Sequence, residues 1–168
     1  IVGQARNGST PDIGADEFTP APGTTTPLAG AYTIGTSGTY TTFKAAVSDL
    51  LLKGVSAPVT FNVLTNTYNE HIVITPIPGS NSTNMVTFQA NSGNAANVTL
   101  YYLTAASTDS NYVVKLNGAS NLRFHKMILQ ANNNAGAGYC TVFNLNWGWD
   151  NLIIDSAVIG GSANTTGG

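Results

Sequence analysis

The stretches LNGASNLRF (116–124) and LNWGWDNLII (145–154) carry one pattern twice: a Leu-Asn pair, a small turn, an Asn and a short apolar run. The later copy holds one extra residue, Trp147, in its turn. Apolar residues at alternate positions mark β-strands, because successive side chains point to opposite faces. Moving outward, Val59-Thr-Phe61, Val86-Thr-Phe88, Val114-Lys-Leu116 and Phe143-Asn-Leu145 recur at steps of 27, 28 and 29 residues. A second set, Ile72-Val-Ile74, Val98-Thr-Leu100, Leu122-Arg-Phe124 and Leu152-Ile-Ile154, follows at steps of 26, 24 and 30. Short strands returning at this interval, with turns that vary, predict a parallel β-helix in which each strand stacks on its own copy. One coil adds a strand spacing of about 4.8 Å, so four coils build a stack of roughly 20 Å. The fold class expected is therefore all-β, a solenoid.

One segment breaks the alternation. In TTFKAAVSDLLLKG (41–54), Phe43, Ala46, Val47, Leu50 and Leu51 lie on one face at helical spacing. Thr41 or Thr42 can cap the start, Lys53 falls in the last turn, and Gly54 occupies the position after it. A helix over 42–53 precedes the first coil, where it can shield edge strands that would otherwise recruit other chains. It is read as a short N-terminal cap.

Only 8% of the 168 residues are charged, the net charge is −2, and 42% are hydrophobic. Solubility must come from Thr, Ser, Asn and Gly, a balance common in extracellular β-rich proteins. With no basic patch to neutralise phosphates, nucleic-acid binding is not expected. No apolar run is long enough to span a membrane. Cys140 is the single cysteine, so no internal disulfide or cysteine-based metal site can form, and a small buried apolar role is expected for it.

TPAPGTTTPLAG (19–30) is rich in Pro, Thr and Gly without periodicity and reads as a linker. Residues 1–18 then belong to the end of a preceding unit, and 31–168 to a cap with the first coils of the next. The unit is expected to be a window on a longer polypeptide. Asp12, Asp16 and Glu17 lack the alternate spacing around a central Gly that a calcium loop needs, so they read as the polar finish of that preceding unit.

AYTIGTSGTYTTFKAAVSDLLLKGVSAPVTFNVLTNTYNEHIVIT (31–75) resembles the opening of right-handed parallel β-helix modules in very large secreted and cell-surface proteins of the Bacteroidetes and their relatives. NLRFHKMIL (121–129) and DNLIIDSAVI (150–159) are similar to the coil repeats of those modules, and RNGSTPDIGADEF (6–18) to their common ending. The resemblance covers most of the chain. It implies the right-handed hand, tandem modules and an extracellular or surface location, whereas β-helices host lyases, hydrolases, adhesins and inert stalks alike.

Three groups of residues are candidates for a role. Alignment by the second set puts Asn97, Asn121 and Asn151 in one column, where stacked amides can bond to each other as a structural ladder. The same alignment stacks Thr75, Tyr101, His125 and Asp155. With Leu122 and Phe124 inward, Arg123 and His125 point outward, and Asp155 lies one coil on from His125. Arg123, His125 and Asp155 are the candidate catalytic group of a polysaccharide lyase or hydrolase, since His suits proton transfer near neutral pH. Such glycosidases need paired carboxylates, and lyases need acidic calcium ligands. Only Asp150 and Asp155 are near, so a surface pair is the expected reading and no catalytic residue is assigned. Trp147 and Trp149 at a turn, with Tyr101 and Tyr102 in an earlier coil, could stack on sugar rings or fold back over the turn. Glu70 and His71 are given a turn role.

The expected function is structural or adhesive: a module of a large extracellular protein or filament, with neighbouring modules or further copies meeting end to end and glycans as a further partner. A carbohydrate-active enzyme and a non-catalytic glycan-binding module are the alternatives. No metal and no cofactor is expected.

Overall fold

The computed structural model describes residues 25–103, 111–132 and 140–161. The first strand, β1 (Leu28–Ile34), leads into helix α1 (Phe43–Lys53). Then come β2 (Val55–Val63), β3 (Asn66–Asn69) and β4 (Ile72–Ile74). The next three are β5 (Val86–Ala90), β6 (Val98–Leu103) and β7 (Tyr112–Asn117). After them come β8 (Leu122–His125), β9 (Ile128–Asn132) and β10 (Thr141–Asn146). The last described are β11 (Leu152–Asp155) and β12 (Val158–Gly161). The expectations placed on residues 1–18, and on residues 19–24 of the linker, lie outside the described residues. β1 begins within that linker, at Leu28, whose side chain is buried and whose amide donates to the Gly54 carbonyl at 2.9 Å.

The described residues are all-β apart from α1 and a short 3-10 turn at Ala95–Asn97, and their sheets are parallel. The first sheet has the order β1-β2-β5-β8-β11, the second β3-β6-β9-β12, the third β4-β7-β10. From β2 onward the chain visits the three sheets in turn, and each strand pairs with the strand it reaches one round later. A round thus holds three strands, where the sequence reading indexed two.

That miscount redistributes both triplet sets. Val59–Phe61 and Val86–Phe88 belong to the first sheet, but Val114–Leu116 and Phe143–Leu145 belong to the third. Ile72–Ile74 lies in the third sheet, Val98–Leu100 in the second, and Leu122–Phe124 and Leu152–Ile154 in the first. Alternation identifies a strand without naming its sheet. The long connections between β4 and β5 and between β5 and β6 shift the phase.

Inward positions stack by identity. Val59, Val86, Leu122 and Leu152 form one register column, and Phe61, Phe88, Phe124 and Ile154 another. The Phe61 and Phe88 rings stack at 4.9 Å, and Phe88 and Phe124 at 5.4 Å. Each side chain of this size, fully buried, stabilises by about 1.5–3 kcal/mol.

Helix α1 forms where expected. Thr42 caps it, accepting from the Ala45 amide at 3.0 Å, and Gly54 ends it at φ 68°, donating to the Leu50 carbonyl. Phe43, Ala46, Val47 and Leu50 are buried. The helix lies against β1 and β4, the outermost strands of the first and third sheets. The Phe43 ring meets Tyr68 of β3 edge-on at 5.2 Å and stacks on Phe88 at 6.0 Å.

Candidate functional site

The outward face of the first sheet carries two polar columns. Thr60, Thr87, Arg123 and Ile153 align in one, and Asn62, Gln89, His125 and Asp155 in the other. Within the second column, Gln89 Nε2 donates to Asn62 Oδ1 at 2.8 Å. Thr75 and Tyr101, which the sequence alignment stacked with His125, belong elsewhere: Thr75 follows β4 of the third sheet, and Tyr101 pairs with Asn69 and Gln130 in the second.

Arg123, His125 and Asp155 do meet. Asp155 sits in the round after the other two, directly beside His125 in register. Arg123 Nε donates to Asp155 Oδ1 at 2.8 Å and Nη2 to Oδ2 at 2.6 Å, a two-pronged grip that matches the planar guanidinium to the carboxylate. His125 Nδ1 lies 2.9 Å from Asp155 Oδ2. The Arg123 hydrogen bonds hold the Asp155 carboxyl down at about 2 against the opposing push of burial, with a smaller downward contribution from His125. Bonding to Asp155 raises Arg123 further above its already high value. Arg123 and Asp155 remain about a third exposed, at 37% and 34%, so the group stands at the surface.

The asparagine ladder is shorter than expected. Asn151 Nδ2 donates to Asn121 Oδ1 at 2.9 Å, and both residues adopt positive φ, 50° and 59°. Asn tolerates this left-handed backbone better than most residues. Asn97 is not in that column. It ends the 3-10 turn leading into β6 of the second sheet, and its side-chain Nδ2 donates to Ser92 Oγ at 3.0 Å.

The four aromatics do not make one patch. Tyr101 faces out of the second sheet, and Tyr102 stacks on His71 at 4.3 Å, so His71 has a packing partner as well as its place in the β3–β4 turn. Trp147 and Trp149 lie in the turn from β10 to β11, between the third and first sheets. Trp147 is 89% exposed with φ 32°, and Trp149 is 46% exposed. The turn beneath them is fixed: Asp150 N donates to Ser120 Oγ at 3.0 Å and Gly118 N to the Asn146 carbonyl at 3.1 Å. Asp150 is at this turn.

One residue has a role its sequence did not disclose. Glu70 reaches back to the start of α1, its two oxygens accepting from the amides of Phe43 at 3.1 Å and Lys44 at 3.0 Å. These donors have no partner within the helix, and a carboxylate there also complements the helix dipole. No local motif announces it, because its partners are main-chain groups 26 and 27 residues away. Cys140 is half-buried against the core, and burial pushes its thiol up.

A shallow cavity of about 250 Å³ lies between α1 and β4, lined chiefly by Lys44, Leu51, His71 and Val73. Among the described residues no three His, Cys, Asp or Glu side chains gather as metal ligands, and no helix is long and apolar enough to cross a membrane. No family model, curated protein or solved structure matches the chain.

Proposed function

We propose that this chain is a structural module of a large extracellular or cell-surface protein. Its three sheets would be the faces of a right-handed parallel β-helix that projects, adheres or assembles into a filament. The observation that carries the reading is how the outward polar side chains are used. Arg123 and His125 bond Asp155, Asn121 bonds Asn151, and Asn62 bonds Gln89, each across adjacent rounds. Such pairs tie round to round and hold register, which is what a load-carrying stack requires. The low charge and the Thr/Asn/Gly-rich surface suit an environment of changing salt, where a charged surface would respond to ionic strength. The likeness to Bacteroidetes surface modules supports the same reading.

The second reading is a carbohydrate-active enzyme on the first sheet. It is favoured by the imidazole of His125, whose Nδ1 lies 2.9 Å from Asp155 Oδ2, a histidine held beside a carboxylate as proton transfer requires. The purified chain incubated with a panel of neutral and acidic polysaccharides separates the two. The structural reading expects no new reducing ends or unsaturated products, with His125→Ala indistinguishable from the parent. Product formation that disappears in His125→Ala would overturn it.

A further inference from the structure

We propose that the shallow cavity between α1 and β4 is a binding site for a carboxylated sugar residue, of the hexuronic acid class. The proposal rests on the adhesive side of the reading above and gives that surface a ligand. The cavity measures about 250 Å³. Lys44, Ser48 and Leu51 of α1 form one wall, because residues three and four apart share a helix face. His71 and Val73 form the other. His71 stacks on Tyr102 at 4.3 Å and on Tyr112 at 5.1 Å, which fixes its ring. In the next round Lys115 aligns with Val73, and its Nζ lies 5.6 Å from the centre of the Tyr112 ring.

Charge selects the ligand. All Lys and Arg side chains of the chain except Arg6 lie among the described residues. Lys53 is paired with Asp49 and Arg123 with Asp155. Lys44 lines the cavity and Lys115 stands beside Val73, and neither makes an ion pair with a described residue. The acids that adjoin the lining residues in sequence are already engaged. Asp49 bonds Tyr40 and Lys53, and Glu70 bonds the Phe43 and Lys44 amides. An incoming carboxylate therefore meets cationic charge that no acid has neutralised. The rest of the surface is two-sided. Leu51 and Val73, the latter 38% exposed, present aliphatic carbon, and Ser48 supplies a hydroxyl. A sugar ring matches this with an apolar C–H face and a rim of hydroxyls. A nucleobase wants an open aromatic face, whereas the ring at this site, His71, is already stacked. The volume falls below the roughly 300–1,000 Å³ of pockets that take drug-sized ligands, so one ring of a saccharide chain enters at a time.

Titration of the chain with an oligogalacturonate, followed by amide NMR shifts, tests this. Two controls accompany it: the same oligomer with its carboxyls methyl-esterified, and citrate, which carries carboxylates without a ring. Saturable shifts confined to residues 44–51, 71–73 and the neighbourhood of Lys115 are expected with the acid, at about millimolar Kd or tighter. Binding should weaken as salt rises, and the ester and citrate should bind far more weakly. Lys44→Ala and Lys115→Ala should each weaken binding ~3-fold or more. Lys126→Ala, which removes a cation from the β8–β9 turn, should bind like the parent. Absence of saturable shifts overturns the proposal, as does equal binding of the ester or of citrate, or a loss in Lys126→Ala as large as in Lys44→Ala. The parent's shift map decides the matter even if a variant fails to fold. The oligomer recovered afterwards reads the underlying function separately. An uncut oligomer without shifts removes this proposal and leaves the structural reading standing. A cut oligomer removes the structural reading, and the shift map still decides the site.

Discussion

Replacing Asp155 by Asn takes away the charge that Arg123 grips with two hydrogen bonds and that His125 approaches from the side. For a group this exposed the loss should be on the order of 1 kcal/mol at neutral pH, read as a lower Tm. The pH dependence has a definite sign. The folded carboxyl is held at about 2 against an ordinary 3.8, so its contribution is complete above the ordinary value and disappears as pH falls through the folded one. The Tm gap between the parent and Asp155→Asn should therefore be constant near neutrality and close between pH 3.8 and about 2. A gap that persists at the acid end would mean Asp155 acts through something other than its charge. This contact was legible in the sequence because LNGASNLRF (116–124) and LNWGWDNLII (145–154) match apart from one extra turn residue, which sets His125 and Asp155 at equivalent positions. Asn121 and Asn151 were readable for the same reason. Asn97 was not, since an Asn before an apolar alternation looks the same whichever sheet the strand joins.

At the scale of elements, α1 was the plainest signal, because helical spacing, Thr42 and Gly54 all agree and all are local. What fastens it to the sheets was invisible. Glu70→Ala leaves the Phe43 and Lys44 amides without their carboxylate and should cost about 1 kcal/mol, with faster amide exchange confined to the first turn of α1. The helix exit is equally constrained. Gly79 has φ 82°, and a Cβ added there would run into the Val55 carbonyl oxygen, just beyond the α1 terminus. Gly79→Ala should lower stability by roughly 1–3 kcal/mol in denaturant titration, from left-handed strain combined with the clash. The strands were recognised individually, but their assignment to sheets failed in both sets: β7 and β10 were grouped with the first-sheet strands β2 and β5, and β4 and β6 with β8 and β11. The 11 residues from Thr75 to Met85 and the turn before β6 gave the first two rounds a different rhythm from the last two.

For the whole molecule, the aromatic column is the axis of stability. Phe88 touches Phe61, Phe124 and Phe43, joining three rounds and the helix in one contact set. Phe88→Ala should cost about 3–5 kcal/mol, enough to unfold a domain of ordinary stability or bring its Tm down by many degrees. Stability should also be graded along the stack, since each round rests chiefly on its neighbours. Amides of β2, β5 and β7, each with a paired strand on both sides, should exchange slower than those of β1, the outermost strand of its sheet. Uniform protection across all three sheets would contradict a layered molecule.

The placement of α1 also gives the fold a direction in time. Among the described residues, the contacts that α1 makes come from between Leu28 and Phe88: β1, β4, Tyr68, Glu70 and Phe88 itself. All of these are synthesised, and leave the ribosome, before β6 does. The first end can therefore be sealed while the rest is still being made, leaving a single growing edge for each new strand to find. Synthesis and assembly then run the same way, and wrong pairings at the sealed end are denied a template before they can compete.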